Sequence, residues 1–200
     1  MKRAFDLCVA SIGLLCLLPV LCVVAILIKL DSNGPVFFRQ ERVGTRFRLF
    51  QIYKFRTMTR DAPLTGRPIT CGQDPRITRV GRFLRRTKLD ELPQLINVLK
   101  GDMSIVGPRP ELRQYVERFR DDYREILTVR PGITDPASLK FRDEANLLGT
   151  SSDPIGLYVG SILPEKLNLG KEYVRRSSLL SDVILIVKTL AALSGFKVAP

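Results

Sequence analysis

Asp90 and Glu91 stand side by side in the run Lys88-Leu89-Asp90-Glu91-Leu92-Pro93-Gln94-Leu95. Pro93 is tolerated only in the first turn of a helix, where backbone N–H groups have no helical partner, so the two carboxylates are expected at or beside a helix N-terminus. A cationic stripe leads into them: Arg79, Arg82, Arg85, Arg86 and Lys88. A carboxylate is an established covalent nucleophile for phosphoryl groups. Among arginines at a helix N-terminus, Asp90 is expected to stay ionised at neutral pH. The same N-terminus offers unpaired N–H groups to a phosphate. Taken alone, Asp90 reads better as an ordinary N-cap. The chain contains 0 histidines, which excludes Ser-His triads, His-ligated metals and histidine general bases; acid–base work falls to carboxylates, Lys, Tyr or Cys. No Walker A or GxGxxG pattern supports an ATP kinase or a dinucleotide enzyme.

The elements that position this pair begin with an apolar N-terminal segment. Leu7 to Ile28 carry no charge and as a helix would extend about 33 Å, enough to cross a bilayer. Pro19 lies near the middle and predicts a break, leaving arms of about 15–18 Å, each too short to span. Lys2 and Arg3 precede the segment; Lys29, Arg39 and Arg42 follow it. Basic flanks are normally cytoplasmic, so both ends are expected on one face, as a re-entrant helix; a spanning helix with an ordinary kink is the alternative. Asp6 is expected to pair with Lys2 or Arg3 one turn away. The segment is too long for a cleaved signal peptide, and no small-x-small site follows. Cys8, Cys16 and Cys22 fall inside it and Cys71 stands alone, so neither a disulfide framework nor a zinc site is expected.

Residues 36–43 and 47–55 are rich in β-branched and aromatic side chains with Gly44-Thr45 between, predicting a hairpin. Residues 59–75 hold three prolines and two glycines and predict a loop. From Ile77 to Lys88 the pattern is an amphipathic basic helix with Val80, Phe83 and Leu84 on one face, suited to a membrane interface. Leu92, Leu95, Ile96 and Leu99 predict the packed face of a helix that Gly101 stops. Gly107-Pro108-Arg109-Pro110 predicts a stiff turn presenting one guanidinium. Residues 111–128 predict one charged helix, Arg130 to Thr134 a turn, Pro164 to Arg176 a basic helix, and Leu179 to Leu193 an apolar helix in the interface or against the core. The fold class is therefore mainly α with a small β-hairpin: a monotopic membrane protein with a re-entrant helix over residues 1–30, interfacial amphipathic helices, and a cytosolic or interfacial catalytic domain over residues 31–200.

A formal charge of +12 in 200 residues demands an anionic partner: nucleic acid, an anionic membrane surface or a phosphorylated substrate. Basic residues interleaved with membrane-type apolar positions, and the lack of any nucleic-acid motif, argue against nucleic acid. A scaffold whose dyad merely caps a helix is the remaining rival.

The chain resembles the bacterial sugar transferase family, the small monotopic phosphoglycosyl transferases of glycan assembly. The resemblance rests on Lys2-Arg3-x-x-Asp6, Gly34-Pro35-Val36-Phe37-Phe38-x-Gln40-x-Arg42-Val43-Gly44, Tyr53-Lys54-Phe55-Arg56-Thr57-Met58, Asp74-Pro75-Arg76-Ile77-Thr78-Arg79-Val80-Gly81, Leu89-Asp90-Glu91-Leu92-Pro93-Gln94, Gly101-Asp102-Met103-Ser104-x-Val106-Gly107-Pro108-Arg109-Pro110-Glu111 and Arg130-Pro131-Gly132-Ile133-Thr134. It implies transfer of a phospho-sugar from a UDP-sugar to undecaprenyl phosphate at the cytoplasmic face of the bacterial inner membrane, in contact with anionic headgroups. It implies a phosphosugar-aspartyl intermediate on Asp90, Glu91 as its catalytic partner, Mg²⁺ at Asp90, and substrate contacts from Arg85, Pro108, Arg109 and Pro110. Loss of Asp90 is then expected to abolish turnover and loss of Glu91 to be nearly as damaging. A homodimer is compatible with the sequence and nothing in it requires one. Three departures stand out. Leu18 precedes the helix-breaking proline where some relatives have Ser. Asp135-Pro136-Ala137-Ser138 replaces a Gly after Ile133-Thr134. Gly170 stands where many relatives have Asp three residues before the tyrosine matching Tyr173, a role that Asp143 or Glu144 is expected to take.

Overall fold

A computed structural model of the protein describes residues 1–62 and 74–196; most of the loop expected over residues 59–75, and Cys71, lie outside the described residues. The charge-free N-terminal segment forms one helix, α1 (Lys2–Asp31), that runs on through Pro19, so the break into two arms expected there does not occur. Its outward side is apolar and exposed at Ile12, Leu15, Leu18, Val23, Ile26 and Leu30. Its inward side enters two separate cores: Ala10 packs with Leu95, Val98, Met103, Ile105 and Val106, whereas Val24 and Ile28 pack with Phe55 and Leu84.

Polar contacts fasten both ends of α1 to the same globule. At the start, Arg3 donates to the carbonyl of Val98 (2.7 Å). Asp6 is buried and accepts from the Ser104 hydroxyl (2.9 Å) and the Ile105 amide (3.1 Å); Lys2 pairs with Asp182. The expected local pairing of Asp6 with Lys2 or Arg3 is thus replaced by long-range partners. The backbone carbonyls of Val98 and Leu99 and the Asp182 carboxylate claim the cations, and a buried carboxylate is better matched by fixed donors of another element. At the end, Arg56 donates to Ser32 O (2.6 Å), Asn33 O (3.0 Å) and Ile28 O (3.3 Å), satisfying carbonyls that a helix terminus leaves open. Asp31 accepts from the Val80 amide at 3.1 Å.

The expected hairpin is present: β1 (Phe37–Val43) pairs antiparallel with β2 (Leu49–Phe55), Phe37 opposite Phe55. Helix α2 (Arg79–Thr87) is capped by the Thr78 hydroxyl on Gly81 N (3.0 Å) and buries Leu84, while Phe83 stays outside. Helix α3 (Gln94–Lys100) follows a short 3₁₀ turn, Leu89–Glu91. Its buried face differs from the expected one: Gln94, Leu95, Asn97 and Val98 are inside and Leu99 is exposed. Asn97 explains the rotation. It accepts from Tyr53 N (2.9 Å) and donates to Gln51 O (2.7 Å), so α3 docks on the open edge of β2 through a polar residue that apolar periodicity ignores.

The turn expected at Arg130 to Thr134 contains a strand. β4 (Gly132–Thr134) runs parallel to β3 (Ser104–Val106). The pairing requires Gly107 and Gly132 to touch: a Cβ on Gly132 would lie 2.1 Å from the Gly107 nitrogen. The helix expected over 111–128 is two, α4 (Arg113–Arg118) and α5 (Arg120–Ile126), broken at Phe119, which leaves helical geometry (φ −117°, ψ 40°) and packs on the core. Short helices α6 (Pro136–Lys140), α7 (Glu144–Gly149) and α8 (Pro154–Leu157) lead through a π-turn (Tyr158–Ile162) into α9 (Leu163–Arg176). Tyr115, Val116, Tyr123, Ile126, Tyr158 and Leu163 are central to the core these helices share. Helix α10 (Leu179–Leu193) buries only Asp182 and Ala192 and turns Leu180, Val183, Ile184, Val187 and Leu190 outward.

Candidate active site

Asp90 and Glu91 sit in the 3₁₀ turn ahead of α3 rather than at its N-cap, which is Pro93. Asp90 caps nothing: its Oδ1 is buried without a hydrogen-bond partner. That removes the ordinary reading of Asp90 as a cap, and an orphaned buried carboxylate oxygen is a reason to suspect a ligand. Its neighbour is the reverse. Glu91 Oε1 accepts from Lys54 Nζ (2.7 Å) and from Arg109, and Oε2 accepts from Arg109 Nη1 (3.1 Å). Burial opposes ionisation of Glu91, but the charges of Arg109 and Lys54 together outweigh it and hold the carboxyl well below its usual range. Asp90 moves the other way. Burial raises its carboxyl above the usual value and the Glu91 charge adds to this, against the pull of Lys54, Arg85 and Lys88. Burial thus outweighs the surrounding cations in setting the direction of the Asp90 shift.

Each partner comes from a different element. Lys54 is on β2, on the strand face opposite Tyr53 and Phe55. Arg85, on α2, donates from Nε to the Thr57 hydroxyl (2.9 Å) and lies within the field of Asp90. Gly81 lets α2 approach that closely, since a Cβ there would stand 2.0 Å from Thr57 O. Arg109 follows β3, and its backbone N–H is held by Asp135 Oδ2 (3.1 Å) while Asp135 Oδ1 caps α6 through Ser138 N (2.7 Å). The Asp135-Pro136-Ala137-Ser138 departure is thus the start of a helix that fixes the Arg109 turn.

A groove of about 1640 Å³ connects these groups. Asp90, Glu91, Arg85, Pro108, Arg109 and Asp143 all line it. Pro110 does not; its carbonyl faces Arg42 Nη1 at 3.4 Å. Asp143 is exposed at the start of α7, and Glu144 is paired with Lys166. Gly170 is buried close to Pro108 and Ile126: a Cβ there would meet Ile126 at 3.4 Å. Lys54, Arg42 and Thr57, quoted above only within motifs or as a basic flank, and Asp135, quoted only as a departure, were given no site role, because their roles depend on which elements meet. Strand alternation places Lys54 apart from its apolar neighbours and was the one signal available.

No group of three or more acidic or cysteine side chains gathers for a metal among the described residues. One divalent cation still fits. Mg²⁺ is commonly held by one or two carboxylates together with substrate phosphates and water, and the unpaired Asp90 oxygen offers one such ligand while the Glu91 oxygens are taken.

The site is thus a carboxylate pair in a groove rich in basic side chains, carried by elements packed on one long apolar helix. The model of the bacterial sugar transferase family matches residues 1–195, and the chain belongs to that family. It is 39% identical over 201 residues to the UDP-N-acetylgalactosamine-undecaprenyl-phosphate N-acetylgalactosaminephosphotransferase of Aeromonas hydrophila, covering 98% of this chain and 44% of that protein. It is 39% identical over 197 residues to the UDP-glucose:undecaprenyl-phosphate glucose-1-phosphate transferase of Escherichia coli K12, covering 95% of this chain and 39% of that one. Over 121 residues it is 50% identical to the putative undecaprenyl-phosphate N-acetylgalactosaminyl 1-phosphate transferase of Bacillus subtilis, covering 60% and 68%. The chain thus spans less than half the length of the Aeromonas and Escherichia relatives.

Proposed function

We propose that the protein transfers a sugar phosphate from a UDP-sugar to undecaprenyl phosphate, releasing UMP and forming undecaprenyl-diphosphate-sugar, as the first membrane step of a bacterial glycan. The relatives named above carry out reactions of this class by name, though with different sugars. The observation that carries the reading is the asymmetry of the dyad: an unpaired carboxylate oxygen on Asp90 beside a Glu91 saturated by two cations.

Ionised Asp90 attacks the sugar-bearing phosphorus. The new Asp O–P bond forms as the bond to the UMP oxygen breaks, and UMP departs with the electron pair. A phosphate oxygen of undecaprenyl phosphate then attacks the same phosphorus and expels the Asp90 carboxylate, which is regenerated. Glu91 holds Lys54 and Arg109 where charge builds on the transferring phosphate, and preorganised cations there stabilise the transition state more than the ground state. Mg²⁺ at Asp90 would screen the repulsion between carboxylate and diphosphate.

We place the protein on the cytoplasmic face of the inner membrane, with α1 re-entrant. Both ends of α1 hydrogen-bond to one globule through Arg3, Asp6, Asp31 and Arg56, which is hard to reconcile with ends on opposite sides of a bilayer. Its exposed apolar side supplies the surface for lipid.

The test is UMP release by purified protein in detergent with a panel of UDP-sugars, undecaprenyl phosphate and Mg²⁺, beside Asp90→Asn. Release with one or two sugars, lost in the variant, is expected. Activity surviving in Asp90→Asn would remove the covalent step and leave the transferase; silence with every sugar would count against the function itself.

A further inference from the structure

Arg109 is the arginine that its turn puts forward, yet its guanidinium is occupied by Glu91. The groove holds another arginine, half-buried, whose binding capacity is largely unused. Arg42, near the end of β1, lines the same groove with its side chain only 17% exposed. Its Nε is buried without any partner. Nη2 donates to Gln40 Oε1 (2.9 Å), but the contact of Nη1 with Pro110 O is long at 3.4 Å. The nearest carboxylate, Glu111 Oε2, is 3.7 Å away, beyond hydrogen-bond length. Glu111 is engaged elsewhere, by the Tyr158 hydroxyl (2.8 Å) and the Leu112 amide (3.1 Å).

A guanidinium has five N–H donors in a rigid fork that matches phosphate oxygens. Burying one with a single good hydrogen bond is costly unless a ligand completes it. Arg42 lines the same groove as Arg109 and Glu91 and lies within electrostatic reach of both.

We propose that Arg42 is a further substrate-binding residue, its guanidinium taking an oxyanion of the donor's diphosphate in competition with the charge of Glu111. This rests on the reading that the donor is a nucleoside-diphosphate sugar. The rival is a purely structural Arg42 that ties β1 to the turn over residues 107–111.

The two are separated by calorimetric binding of UDP to the full chain in detergent, with thermal unfolding in parallel, for Arg42→Lys and Glu111→Gln. Lysine keeps the charge and loses the fork; glutamine keeps an acceptor for Tyr158 and removes the competing charge. Arg42→Lys is expected to weaken UDP binding about tenfold or more, the scale of a lost charge-assisted hydrogen bond. Glu111→Gln is expected to tighten it severalfold. UDP binding within about twofold of wild type in Arg42→Lys would overturn the proposal, as would weakened binding in both variants accompanied by lowered melting temperatures. If wild-type protein binds UDP but releases no UMP from any UDP-sugar, the proposed reaction falls while the Arg42 site stands. If wild type does not bind UDP at all, the nucleotide-donor premise fails and the Arg42 proposal with it.

Discussion

Two adjacent carboxylates in one 3₁₀ turn meet opposite electrostatic environments, and that divides their contributions. Glu91, held below its usual range by Arg109 and Lys54 against the effect of burial, contributes stability that is present above its unfolded pKa and lost as pH falls. Asp90, raised first by burial, does the reverse: above its unfolded pKa it costs stability. At pH 7, Asp90→Asn should therefore melt no lower than wild type while losing transfer. Glu91→Gln should lose about 1–3 kcal/mol, less than for a fully buried pair because Arg109 is partly exposed; this deficit should close as pH falls toward the depressed Glu91 value. Chemical denaturation across pH measures both, and a strongly destabilised Asp90→Asn would refute the orphaned-oxygen argument. The nucleophile also sets a pH profile. The acid limb of kcat/KM should lie above the ordinary aspartate range and move to lower pH in Glu91→Gln, which deletes a neighbouring negative charge and frees two cations. An unmoved limb would show that another group controls it.

Secondary-structure elements make this pair usable by meeting at small contacts. Asn97 is fully buried and joins α3 to β2 through two backbone groups. Asn97→Ala should cost about 2–4 kcal/mol, since it strands two peptide groups; urea unfolding would check it, and a change below about 0.5 kcal/mol would mean α3 is held by its apolar face alone. Gly81 carries an argument of the same kind. Alanine there is driven onto Thr57 O, and Thr57 orients Arg85. Gly81→Ala should lower both stability and UMP release, whereas a surface alanine at Arg79 should spare the fold. The hairpin and the helices α1, α2, α3, α9 and α10 were legible from periodicity and turn residues, whereas the short α6, α7 and α8 were not. The β3–β4 pair was not, because strands of three residues carry no period and their pairing is decided by two glycines brought together from positions 107 and 132.

At the scale of the molecule, α1 and α10 turn most of their apolar side chains outward, an exposed apolar surface of the kind that a membrane or a protein partner covers. The proposed re-entrant placement makes a definite statement about sidedness. In inverted and right-side-out vesicles, single cysteines placed at Met1 and at Asn33, in a background lacking the three exposed native thiols of α1 and Cys71, should react with an impermeant maleimide from the same side. Labelling from opposite sides would establish a spanning helix and force a different account of how Arg3, Asp6 and Arg56 reach one globule.

Residue types and spacing alone determined the chemistry on offer: a histidine-free, cation-flanked carboxylate pair behind an apolar helix, and the family that arrangement resembles. These are local or compositional properties, readable wherever proline, charge and apolar period constrain a few neighbouring positions. Only the tertiary structure decided which carboxylate is free. Lys54 and Arg109 come from a strand and a turn far apart in the chain, and their convergence on Glu91 leaves Asp90 unpaired. Burial, which no spacing pattern encodes, then set the opposite directions of the two carboxyls, because the cost of desolvating a charge depends on everything packed around it.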